Sequence, residues 1–138
     1  MDQNADLIGT TECRVKLFLA GHMFRRVDEF YSNDLQLPEI HRWRDVDTRG
    51  VMFRLGSNTI LELIDHTGSA VSVSGCGISL AVPDVWRLHE KLRGNSRLTP
   101  GPLRNRDWGD TSFQIEDPSG FEIVFFSKTP SDHRYREQ

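Results

Sequence analysis

The sequence predicts an α+β domain made of two βαβββ modules whose strands form a curved mixed-sheet cup. Three observations carry this. Two stretches alternate apolar and polar residues with period two, each leading into a run with helical spacing. Each helical run is followed by strand signals and a hairpin. The two copies lie about 62 residues apart, so the chain states one supersecondary unit twice.

Taken in order, Arg14 to Leu19 places Val15, Leu17 and Leu19 on one side of a strand. Met23, Phe24, Val27, Phe30 and Tyr31 then recur at spacings of three and four, which gathers them on one helical face. A short, weaker strand is expected over His41 to Val46. The hairpin follows as Gly50 to Leu55, a turn at Gly56-Ser57-Asn58, and Thr59 to Ile64. Module one thus covers about residues 13–66.

Module two covers about residues 76–128. Its first strand runs Gly77 to Val82, with Ile78, Leu80 and Val82 alternating. Pro83-Asp84 suits a helix start, where a missing N–H is harmless and a carboxylate meets the positive end of the helix. Val85, Trp86, Leu88 and Leu92 form the apolar face, with Trp86 expected in the core or an interface. Ser96 to Thr99 is the weak strand, and the Gly-, Pro- and Arg-rich stretch Pro100 to Asp110 is a loop. Thr111 to Glu116 and Phe121 to Phe126 flank a turn at Asp117-Pro118-Ser119-Gly120, where proline fixes one φ and glycine permits a positive one. Both modules belong to a single domain, 1–138. The polar tail from Pro130 to Gln138 reads as a frayed end.

The net charge of −3, with scattered basic residues, gives no footprint for nucleic acid. No apolar run approaches the roughly 20 residues of a membrane helix. The opening MDQNADLIGTTE has neither the basic start nor the apolar middle of a secretion signal, so a cytoplasmic protein is expected. Cys13 and Cys76 do not make a disulfide framework and read as two half-buried thiols.

From Trp108 onward the stretch WGDTSFQIEDPSGFEIVFF resembles the final hairpin of the vicinal oxygen chelate superfamily, which comprises glyoxalases, bleomycin-resistance proteins and extradiol dioxygenases. DEFYSNDLQL, residues 28–37, is similar to the end of that family's first helix. The likeness spans about residues 13–128. Ser119 and Phe121 stand in place of the turn's usual Asp and Asn, and Gln36 in place of a usual Gly. The resemblance implies the paired βαβββ fold and a small-molecule ligand. It does not choose between metal-dependent enzymes and drug-binding proteins without metal, because function lies in the site.

In the family's metalloenzymes the ligands come from the first and last strand of each repeat. Carried over, those positions fall on Arg14 (or Lys16, if the register slips by two), Glu62, Gly77 and Val124. Matching Leu61-Glu62-Leu63 to Ile123-Val124-Phe125 makes Val124 the twin of Glu62. Glu122 points the same way but sits one step nearer the turn. A divalent cation wants three or more N, O or S donors within roughly 2.0–2.3 Å. Arginine stays protonated, and glycine and valine supply none. His22, His41, His66, His89 and His133 fall elsewhere. No metal site and no cofactor are expected.

Parity places Arg14, Lys16, Phe18, Met52, Arg54, Ile60, Glu62, Ile64, Gly77, Ser79, Ala81, Ser112, Gln114, Glu122, Val124 and Phe126 on the open face. The expected ligand contacts are Arg14, Lys16, Phe18, Met52, Arg54, Glu62, Ser79, Trp108, Gln114, Val124 and Phe126. Arg14 is expected to pair with Glu62, either leaving donors for an anionic or carbonyl oxygen of the ligand or as a plain structural ion pair at the rim. Trp108 either stacks on an aromatic ligand or packs as a lid, while Arg104 and Arg106 read as solvated loop charges. The leading expectation is a homodimeric protein that binds an aromatic or anionic small molecule without metal, in the manner of drug-sequestering resistance proteins. The alternative is a lyase, isomerase or dioxygenase-type enzyme with an altered metal site, in which Glu62 is the catalytic general base.

Overall fold

A computed structural model describes residues 3–66 and 73–130. The chain forms two compact units, 1–71 and 72–138, each a four-stranded mixed sheet with a helix on one face.

In the first unit a short helix, α1 (Gln3–Ile8), precedes strand β1 (Cys13–Leu19) and helix α2 (Gly21–Glu29). Strands β2 (Glu39–Arg44), β3 (Arg49–Arg54) and β4 (Thr59–Asp65) follow, and the sheet order is β1-β4-β3-β2. The β1–β4 pair is parallel and the other two pairs are antiparallel. The second unit repeats this plan with β5 (Gly77–Ala81), α3 (Val85–Arg93), β6 (Arg104–Asn105), β7 (Asp110–Glu116) and β8 (Glu122–Lys128), in the order β5-β8-β7-β6.

The helix-covered faces are the predicted ones. Leu17, Leu19, Phe53, Leu61 and Leu63 are buried with Phe24, Val27, Phe30 and Tyr31 of the first unit. Phe113, Ile115, Ile123 and Phe125 are buried with Val85 and Leu92 of the second. Each large side chain removed from water contributes roughly 1.5–3 kcal/mol, so these two layers hold the units together. Trp86 stays 36% exposed on the described chain, so it is not a core residue there.

The helices begin differently. Asp84 caps α3 by accepting a hydrogen bond from the backbone N–H of Arg87 at 3.0 Å. Ser127, near the end of β8, accepts from the N–H of Val85 and donates to the carbonyl of Val82. The capping position of α2 is Ala20, which supplies no side-chain cap. That helix ends in a π-helical turn, Phe30–Asp34, closed by hydrogen bonds from Leu35 N–H to Phe30 O and from Leu37 N–H to Tyr31 O. Between them Gln36 adopts φ 57°, the left-handed conformation usually left to glycine.

Four expectations are corrected. Strand β2 begins at Glu39 and ends at Arg44, earlier than the expected 41–46. Ser96 to Thr99 is no strand: Asn95 accepts from the N–H of Arg97 through its side chain and from that of Leu98 through its carbonyl, turning the chain so that Leu98 is buried. The strand that pairs with β7 is Arg104–Asn105, inside the expected loop. Cys13 and Cys76 are exposed rather than half-buried. Of the tail, residues 131–138 lie outside the described residues.

Candidate functional site

Each sheet turns its second face away from its helix, and most of the predicted ligand contacts stand there. In the first unit the cross-strand rows are Arg14–Ile60–Arg54, then Lys16–Glu62–Met52–His41, then Phe18–Ile64–Gly50–Trp43. Arg14, Lys16, Phe18 and Arg54 are exposed, and Met52 and Ile64 are half-buried. Phe18 is 43% exposed, with its ring edge-on to His66. Flat apolar surface ringed by cations is thus available to a ligand.

Glu62, only 5% exposed, is buried at the centre of this face, as is Ile60 in the neighbouring row. Burying a carboxylate is costly unless its oxygens find donors. Here Oε2 accepts from the indole N–H of Trp43 at 3.0 Å, while Oε1 lies 3.9 Å from the ammonium of Lys16. The indole reaches β4 from β2 because Gly50, on the strand between, has no side chain. A methyl group added at Gly50 would overlap the Trp43 ring. A glycine inside a strand commonly marks such a close approach.

The expected Arg14–Glu62 pair does not form. Arg14 sits one row away, opposite Ile60, and its Nε donates to Glu12 at 2.7 Å. That hydrogen bond, together with the charge of Glu12, raises the pKa of Arg14 above the usual arginine value. Lys16, the other candidate of the same parity, is the residue beside Glu62. The role of Trp43 as hydrogen-bond donor to Glu62 depends on a contact reaching past the intervening strand that sequence spacing does not reveal.

In the second unit the rows are Gly77–Glu122–Glu116, then Ser79–Val124–Gln114, then Ala81–Phe126–Ser112–Arg104. Gly77, Ser79, Ala81 and Glu122 are exposed, Gln114, Val124 and Phe126 half-buried, and Ser112 buried. Gln114 and Glu122 line a cleft of about 410 Å³ with Thr99, Gly101, Glu116 and Asp117. Trp108 is 69% exposed, so it is not a packed lid. Its indole N–H donates to Asp110 at 2.9 Å, and the guanidinium of Arg106 lies 5.9 Å from its ring centre. Arg106 is not merely solvated, since its Nε also donates to Ser112.

Val124 holds the place that Glu62 holds in the first unit: each lies between a residue of the unit's first strand, Lys16 or Ser79, and one of its hairpin partner strand, Met52 or Gln114. An ammonium and an isopropyl group donate no electron pair to a metal, and the one carboxylate is already turned toward two protein donors. Among the described residues no three His, Cys, Asp or Glu side chains gather in metal-binding geometry. The residues at these positions do not fit the metal that the fold's enzymes carry.

No family model matches the chain, and no curated protein sequence does. Solved structures do match. An antibiotic-binding protein, TnmS3 of Streptomyces sp. CB03234, has a TM-score of 0.66 at 18% identity, over 84% of this chain and 93% of its own. A glyoxalase/bleomycin resistance protein from the same organism has a TM-score of 0.63 at 17% identity, over 83% of this chain and 97% of its own. This chain has the glyoxalase/bleomycin-resistance fold. Lactoylglutathione lyase from Agrobacterium tumefaciens shares it too, with a TM-score of 0.60 at 14% identity over 82% of this chain and 91% of its own. The fold therefore accommodates both a binder and an enzyme, as the resemblance to the vicinal oxygen chelate superfamily implied. No described helix is long and apolar enough to cross a membrane.

Proposed function

We propose that this protein binds a small molecule on the open faces of its sheets without metal, holding the ligand by affinity rather than transforming it. The observation that carries this reading is the state of Glu62: buried, bonded to Trp43 and faced by Lys16, with Val124 as its twin. A carboxylate so engaged is a structural anchor of the face. The similarity to an antibiotic-binding protein supports the same reading. A general-base role for Glu62 has less support, because the donors around its two oxygens belong to the protein itself.

The ligand chemistry follows from the first unit's face. Arg14, Lys16 and Arg54 surround Phe18, Met52 and Ile64, which suits a compound with a flat apolar body and anionic or carbonyl oxygens. In the second unit Ser79, Gln114, Val124 and Phe126 offer an uncharged open face of its own. The working form is proposed to be a homodimer located in the cytoplasm. Sedimentation at micromolar concentration checks the first of these, with a monomer as the contrary result.

The decisive experiment is a thermal-shift screen of aromatic, oxygen-rich antibiotics and metabolites, run beside metal analysis of the purified protein. A ligand at a hundred times its Kd stabilises the folded state by about 2.7 kcal/mol. The expected result is a hit whose shift falls in Lys16→Ala and Arg54→Ala, together with sub-stoichiometric metal. Stoichiometric zinc, nickel, manganese or iron would overturn the proposal. So would turnover of the hit compound.

A further inference from the structure

The first unit carries a second cleft, at the sheet edge where β2 and β3 meet α2. It measures about 230 Å³ and is lined by Phe24 of α2, Arg42, Trp43 and Arg44 of β2, and Arg49 and Gly50 of β3. Three arginines therefore edge one small hollow, and no acidic side chain lines it.

Two of the three are fixed in place. Arg42 forms a bidentate pair with Asp28 of α2, at 2.9 and 3.1 Å, and also reaches Glu39. Hydrogen bonding to Asp28 first, and then to Glu39, raises its pKa above the usual arginine value. Arg49 lies with its guanidinium 4.7 Å from the centre of the Phe24 ring, and its Nε donates to the buried Asp65 at 2.9 Å. That leaves the two terminal nitrogens of Arg49 without a protein partner among the described residues.

The third is free. Arg44 is exposed and makes no ion pair or hydrogen bond through its side chain to any described residue, yet it stands directly across the ladder from Arg49. Like charges at such a pair are unfavourable. One guanidinium stacked and anchored and another unengaged, both edging one hollow, supply the kind of donors with which proteins hold an oxyanion. Arg44 and Arg49 also border a neighbouring cleft on their other side, which they share with Asp45, Asp47, Thr48 and Asp65, so an anion must compete with these carboxylates for them.

We infer that the hollow between α2 and the β2–β3 edge is a binding site for an oxyanion group, a carboxylate or a phosphate, held by Arg44 and the terminal nitrogens of Arg49. Its volume is below the roughly 300–1,000 Å³ of pockets that enclose drug-sized ligands. The occupant is accordingly a small anion, or the anionic end of a larger molecule. The inferred contacts, Arg44 and Arg49, are not among the open-face contacts, although Trp43 and Gly50 border both places.

The test is calorimetric titration of the full-length protein at constant ionic strength, with inorganic phosphate and with benzoate as the two probes. Arg44→Ala is compared with Arg25→Ala, which removes one positive charge from the exposed surface of α2 outside the cleft. The expected result is saturable one-to-one binding of at least one probe, weakened about tenfold or more by Arg44→Ala and left intact by Arg25→Ala. Binding of phosphate alone assigns the site to a phosphate group, and binding of benzoate alone assigns it to a carboxylate. If neither probe saturates, or if both variants weaken binding equally, the inference fails. Because Arg44 is exposed, its variant is expected to keep the wild-type circular dichroism spectrum and thermal midpoint.

Discussion

Gly50 and Glu62 show how one missing side chain organises the open face of the first unit. The indole of Trp43 occupies the space a Cβ would need and carries its N–H to a carboxylate two strands away. Gly50→Ala is therefore expected to displace the ring and strip a donor from a buried charge. Overpacking and an unsatisfied buried acceptor each cost roughly 1–3 kcal/mol. Urea unfolding measures the loss. In a background where Trp86 and Trp108 are phenylalanine, Trp43 emission should also move to the red. Gln36 illustrates the opposite case, a residue in a conformation that favours glycine. Gln36→Gly should raise stability by up to about 1 kcal/mol, as relief of the left-handed backbone exceeds the added chain entropy of glycine. No gain would mean that the side chain of Gln36 makes up the difference.

At the scale of elements, the two helices contrast in how they start. On α3, Asp84→Ala removes the bond to Arg87 N–H and should cost about 1 kcal/mol in chemical unfolding. An undiminished midpoint would show that Ser127 and the packing of Val85 hold this end unaided. Elements were legible where burial imposed a period. Val15, Leu17 and Leu19 alternate because one side of β1 lies under a helix, and the same force wrote Ile123 and Phe125 into β8. Strand β6 was missed because it is two residues long, exposed and polar, so nothing about Arg104 and Asn105 is periodic. Ser96 to Thr99 misled because buried Leu98 gives it a core residue, although Asn95 folds it into a turn. The site was half legible for a related reason. Parity assigned Arg14, Lys16 and Glu62 to one side, but two even-numbered cations satisfied parity equally, and only the β1–β4 register placed Lys16, not Arg14, beside the acid.

At the scale of the whole molecule, the metal-free reading makes a plain prediction. Dialysis against a chelator should leave the thermal midpoint unchanged, and added zinc or nickel should not raise it, since a metal that binds only the folded state would stabilise it by mass action. The fold itself was read from repetition rather than from any single motif, which is why it survived errors in two short strands. Each sheet closes its hydrogen-bond ladder within one uninterrupted stretch of chain: β1 returns to pair with β4, and β5 with β8, with no strand borrowed from the other half. A gene segment encoding either stretch thus specifies every strand of one sheet, and one tandem copying event suffices to make the pair. Later divergence could then load one copy with charge and empty the other, which is the difference between Lys16–Glu62 and Ser79–Val124.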